Sequence, residues 1–533
     1  MYDVNELNSE RLQFILQNCT DILNISSLIT KLMKDNNKEL LEILFKEHLK
    51  FFDNNFILKL LKYYERKTPI SNSELYPLIN DDKFKISTEL NENFDRYNSS
   101  YYLFNACEKG NEAAVRFLLK HGADINIRDK DNRIALARAC DSGNLHLVKY
   151  LVHHGADMNN EDHSGVTPIF NACISGNLNL VKYLVEHGLD INKENEKGYT
   201  PLFNACSKGH ITIVKYLMEQ GADVYHEDKE GNTALMEACW KDNIYLIKYL
   251  VEYGLDINKK NIDGYTPLFT ACQEGHITLV KYLFEHGANI NIINNNGNTP
   301  LSIACYNGHI AVIKYLVERG ININKEENEG YTPLLNACQN GQEEVVKYLV
   351  EQGANIYKET NDGNTALILA CWNENINLVK YLVDHGLDID KADDNGCTAL
   401  YIACQEGHTT IVKYLVERGA NINIETNDGC TPLFCACQEG HDTVVKYLLE
   451  HGANINKENI NGDTPLYGAC QEGHQAIVRY LVEYGANINK ENQKGWTPLL
   501  YACQKGQEEI VRYLVERGAN VNKQNSDGWT PFI

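Results

Sequence analysis

The stretch Gly264–Asn291 reads G-Y-T-P-L-F-T-A-C-Q-E-G-H-I-T-L-V-K-Y-L-F-E-H-G-A-N-I-N, and close copies of it recur at a spacing of 33 residues. Its Ala-Cys pair marks the register. Cysteines stand at Cys107, Cys140, Cys173, Cys206 and onward by the same step to Cys503, thirteen copies without an insertion or deletion. A repeat of this length means an elongated stack of small units, each unable to bury its apolar face alone.

The internal structure of one unit follows from its residues. Thr266 is placed as a helix N-cap and Pro267 as the first helical residue, where no amide proton is needed. Leu268, Ala271 and Cys272 then share one narrow apolar face up to Gly275. A second helix carries Val280, Leu283 and Phe284 at the same spacing and ends at Gly287, which is suited to a left-handed C-terminal residue. Asn289 to Asn296 leads into a turn at Gly297. The expected fold is therefore an all-α solenoid of helix-turn-helix units with hairpin-like fingers. Thirteen units advancing by one helix-packing distance predict a curved stack roughly 100–130 Å along its arc, which small-angle scattering distinguishes from a compact globule.

These residues resemble the ankyrin repeat, whose usual core is G-x-T-P-L-H-x-A-A-x-x-G-H followed by an apolar helix and G-A-D-V-N. One departure is consistent: the His after Thr-Pro-Leu is replaced here, for example by Phe170, Leu335 and Tyr467. The His after the inter-helix glycine does match, at His210, His276, His309, His408, His441 and His474. These histidines read as structural hydrogen-bonding residues, since none has the Ser, Cys and Asp partners of a catalytic set. The Tyr of V-K-Y-L, from Tyr150 to Tyr513, reads as packing between units.

Composition narrows the function further. Formal net charge is −22, the wrong sign for unspecific nucleic-acid binding, so a neutral or basic protein partner is expected and nucleic acid is not. Neither a long apolar run nor a signal peptide is visible, which implies no membrane span and a cytoplasmic location. Nearly all glycines fall at three fixed places of the unit, Gly468 apart, and no phosphate-cradling motif occurs, so no cofactor is expected. Equivalent cysteines in stacked units sit ~8–10 Å apart, too far for disulfides and wrongly arranged for zinc. Cys397, Cys430, Cys435 and Cys437 form an extra group, but two lie at finger tips and one in the ladder, so no metal is expected.

Residues 1–95 lack glycine and the repeat. Apolar spacing predicts helices over about 8–18, 22–34, 37–51 and 54–66, forming a cap or a docking segment, then an irregular stretch around Pro69 and Pro77 and a loop or linker from Asp81 to Asn98. The repeats are expected over 96–524, with 525–533 opening a truncated fourteenth. The first is atypical, with Tyr101 and Tyr102 where Thr and Pro stand elsewhere.

The resemblance implies that partners bind on the finger tips and the exposed side of the first helices, which line a concave groove. At the tips this chain places Tyr199, Tyr265, Tyr331, Trp496 and Trp529; just after the ladder cysteine it places Trp240, Tyr306 and Trp372, in units whose tips are Asn232, Asn298 and Asn364. Large aromatic residues at positions that stacking does not require are candidate binding anchors. The primary reading is a monomeric, non-catalytic protein-binding scaffold or adaptor. The alternative is a regulatory or effector chain, such as a ubiquitin-ligase substrate adaptor, whose N-terminal segment recruits an enzyme.

Overall fold

Threonine, proline and glycine set the limits of most first helices, and the computed structural model describes the result for residues 96–120 and 122–531. Helices come in pairs, from Arg96–Glu108 with Glu112–Lys120 to Pro498–Gln504 with Glu508–Glu516. The chain divides into two compact units, one ending at Lys229 and one starting at Glu230. The described residues of each form an all-α stack of helix pairs. The helices expected before residue 96, and with them the cap or docking segment, lie outside the described residues.

In the repeat quoted above, the helices are Pro267–Gln273 and Ile277–Glu285. Thr266 has extended dihedrals ahead of Pro267 but its side chain makes no capping bond, whereas Thr332, Thr365, Thr431 and Thr497 do accept the amide three residues on. Gly275, Gly287 and Gly297 all have positive φ. Leu268, Ala271, Cys272, Leu279, Val280 and Leu283 are buried. Phe284, expected among them, is only half-buried, its ring meeting Tyr315 edge-on at 6.0 Å.

Adjacent repeats are joined by polar bonds as well as apolar burial. His309 Nε2 donates to Gln273 O at 2.7 Å, and His441 and His474 do the same to Gln405 O and Gln438 O. Where Asn replaces His, its amide donates to the preceding inter-helix glycine, as from Asn144 to Gly110 O. The histidines are thus structural cross-ties. Asn423 Oδ1 accepts the Asn454 amide of the next repeat at 2.7 Å, and Asn126, Asn192, Asn258, Asn456 and Asn489 repeat the clamp. Successive finger tips share a backbone bond, for example Asn361 N to Glu329 O and Asn427 N to Asn395 O, both 2.9 Å. On the second helices, Lys281, Lys314, Lys380 and Lys413 each sit over the Tyr ring of the next repeat, a contact worth about 0.5–1 kcal/mol at exposed sites.

One sequence expectation changes at the N-terminal end. Without Thr-Pro, the first helix is not stopped at its usual start and runs for 13 residues. It therefore takes in Arg96–Asn98, which the linker reading had made irregular. Tyr102 is buried and Tyr101 exposed, the two rings meeting edge-on at 5.4 Å.

All sixteen described cysteines are free thiols. Twelve of the thirteen ladder cysteines are buried, and Cys503 is half-buried along with Cys397 and Cys430. Burial raises the thiols, Cys397 to about 11 and Cys107 to about 12, so thiolate is scarce near neutrality. Only Cys397, Cys430 and Cys503 among the described cysteines are expected to react with a polar alkylating reagent at pH 8, and reductant is expected to leave the melting temperature unchanged. Mass spectrometry showing rapid native-state labelling of the buried ladder would contradict this placement.

Candidate functional site

The first residue of each finger places the aromatic residue at its tip. Asn261 Oδ1 accepts the Asp263 amide at 3.1 Å and the Tyr265 amide at 2.8 Å, closing the finger as an Asx-turn. Asn195, Asn492 and Asn525 hold Tyr199, Trp496 and Trp529 in the same way. This turn brings most of the tip rings back over their own first helix. Tyr199 lies 5.7 Å from Phe203 and Tyr265 5.2 Å from Phe269, while Trp496 meets Tyr501 edge-on at 5.4 Å.

Tyr199, Tyr265, Tyr331 and Trp496 are consequently half-buried, and part of their apolar surface is spent within the chain. Burial raises the phenols of Tyr265 and Tyr331. Trp529 remains exposed at 49 %. Tyr199 belongs to the N-terminal compact unit, whereas the other seven candidate residues belong to the C-terminal one.

The aromatic residues after the ladder cysteine have a different setting. Asp242 and Glu374 stand where most repeats have the inter-helix glycine, and neither has a positive φ. Without the left-handed stop, the first helices shorten to five residues, Ala234–Ala238 and Ala366–Ala370, and Cys239 and Cys371 become the C-caps. Trp240 and Trp372 follow at once, each 42 % exposed, and Tyr306 in an ordinary repeat is 50 % exposed. Their backbones still serve the stack, because Trp240 O and Trp372 O accept from His276 Nε2 and His408 Nε2 at 3.3 Å. The three side chains occupy one position of the repeat, just after the ladder cysteine, at two-repeat intervals, and the core uses none of them fully.

Other exposed aromatic residues escaped the sequence reading, notably Tyr245 and Tyr357. For Tyr357 a signal was present: it occupies the clamp position that Asn fills in most repeats. Its hydroxyl reaches His385 O at 3.4 Å, much as Asn423 Nδ2 reaches Gly452 O at 3.3 Å.

Among the described residues no three His, Cys, Asp or Glu side chains are grouped to hold a metal ion. In the cysteine-rich repeats, Cys435 is buried and Cys430 half-buried, with the Asn459 amide 3.9 Å from Cys430 Sγ. No described helix is long and apolar enough to cross a membrane.

With paired helices, left-handed glycine stops and hydrogen-bonded fingers in place, the comparison with known families is decisive. A family model described as ankyrin repeats (3 copies) matches seven overlapping stretches, from 78–162 to 454–525. The chain belongs to the ankyrin repeat family. Ankyrin repeats are generally protein–protein interaction modules, and the helical stack with its fingers is the ankyrin architecture. The family match begins at residue 78, ahead of the first described helix. Among solved structures, the ankyrin repeat domain of human ASB11 is 29 % identical over 42 % of this chain and 99 % of that one, with a TM-score of 0.39. A search of curated proteins found no match.

Proposed function

We propose that this ankyrin repeat chain is a monomeric, non-catalytic scaffold or adaptor of the cytoplasm that docks a protein partner on the finger and first-helix face of its C-terminal unit. Trp240, Tyr306 and Trp372 are the anchors, flanked by the half-buried rings of Tyr265 and Tyr331, and Trp496 and Trp529 belong to the same unit. One observation carries the reading: three large aromatic side chains stay between 42 % and 50 % exposed at the same repeat position, after the ladder cysteine, in alternate repeats. Tryptophan and tyrosine are enriched among residues that dominate binding energy, because they offer large rigid surfaces at low conformational cost.

Affinity purification with the full chain and with its Trp240→Ala/Trp372→Ala variant tests the reading. A partner seated on this face is recovered by the first and lost by the second. Equal recovery of every partner by both chains would place binding elsewhere.

A further inference from the structure

Charge is sorted between the faces of the C-terminal unit in a way that stacking does not require. From Asn261 to Gly473, seven consecutive repeats place no Lys or Arg on a finger tip or first helix, yet these segments carry thirteen Asp and Glu residues. Glu329, Asp362, Asp428, Glu439 and Glu472 are exposed, and Glu406 is half-exposed. None of the thirteen takes part in an ion pair among the described residues.

The cations of the same repeats are engaged elsewhere. Most of those on the second helices sit over tyrosine rings, as Lys314, Lys380 and Lys413 do. Several at the finger bases pair with a glutamate of the preceding repeat, Lys391 with Glu359 at 3.1 Å and Lys457 with Glu425 at 2.8 Å. Basic side chains return in the flanking repeats, at Lys229 and Lys241 before the stretch and at Lys494 and Lys505 after it.

Resting on the docking face proposed above, we infer that its occupant is an extended, cationic protein segment carrying Lys or Arg at about every third residue. Charge complementarity decides the sign, because an acidic or phosphorylated segment would meet carboxylates without a cation partner in six of the seven repeats. Spacing follows from the repeats: one unit advances by ~8–10 Å, and three residues of extended chain cover ~10 Å. Glu406, Glu439 and Glu472 hold one equivalent position in three successive repeats and define the regular part of the track. Exposed Trp372 and Tyr306 on the same face offer rings for cation–π contacts.

The test uses the full chain and a fluorescein-labelled fifteen-residue peptide with Lys at every third position among Ser and Gly, beside a matched peptide with Glu in place of Lys. Binding of the lysine peptide alone is expected, weakening as salt rises from 50 to 300 mM. The variant Glu406→Gln/Glu439→Gln/Glu472→Gln should lose roughly tenfold in affinity, whereas Glu417→Gln/Glu450→Gln/Glu483→Gln, with the same net charge but changed on the second helices, should lose less than about twofold. Equal losses in the two variants would reduce the effect to unspecific attraction and overturn the assignment. So would binding of both peptides alike, or of neither. A recovered partner that needs Trp240 and Trp372 yet ignores salt and the first triple substitution would leave the docking face standing and overturn the cationic occupant alone.

Discussion

Replacing Trp240 and Trp372 together by alanine is expected to weaken partner binding by about 2–4 kcal/mol while costing the fold about 1 kcal/mol or less at each site. The asymmetry comes from where each indole spends its surface. Both rings are 42 % exposed in the free chain, so a partner that covers them gains apolar burial the stack does not already have. Their structural duty is carried by the backbone, through the carbonyls that His276 and His408 contact, and alanine keeps those carbonyls. Calorimetric titration of a recovered partner and urea unfolding of both chains measure the two sides. If the variant unfolds readily but binds with unchanged affinity, the indoles instead fill the space beside Asp242 and Glu374 as structural plugs.

Those two repeats show where reading the sequence reached its limit. The replacement of glycine by Asp242 and Glu374 is visible in the sequence, and so are the adjacent tryptophans. The shortening of the first helix to five residues is not. It follows because a side chain disfavours the left-handed stop, so the chain leaves the helix a turn earlier. The tip aromatics failed in the opposite sense. Their positions read clearly, but the Asx-turn that lays Tyr265 against Phe269 links residues through a side-chain bond that no periodicity reveals. Half of the expected anchors are therefore partly used within the chain.

The fold itself was legible because its main constraints are local. Every described glycine except Gly468 has positive φ, and Gly468 was also the one glycine outside the three repeating places. It lies inside the helix Pro465–Glu472, where an added Cβ would come 3.6 Å from Gln438. What stayed hidden joins residues about 30 positions apart: the histidine cross-ties, the asparagine clamps and the finger ladder. Those bonds depend on how one repeat seats on the next.

Alanine in place of Gly330 is expected to destabilise the protein by about 3–5 kcal/mol, against about 1–2 kcal/mol for alanine in place of Gly320. The pair separates two effects that glycine usually combines. Gly330 and Gly320 have nearly the same left-handed backbone, φ +79 and +81, so the conformational strain and the change in the unfolded chain cancel in the comparison. Their surroundings differ. A Cβ at Gly320 meets nothing within 4 Å, whereas at Gly330 it falls 2.6 Å from the backbone nitrogen of Asn361, the donor of the finger-to-finger bond to Glu329 O. Backbone cannot rotate away as a side-chain end can, so the two fingers must separate and the bond is lost. Urea unfolding reads the difference in free energy, and hydrogen exchange reads its place, with protection expected to fall first at the Asn361 amide. Equal destabilisation by the two substitutions would mean that the fingers yield freely to one another and that the ladder does not hold the docking face in register.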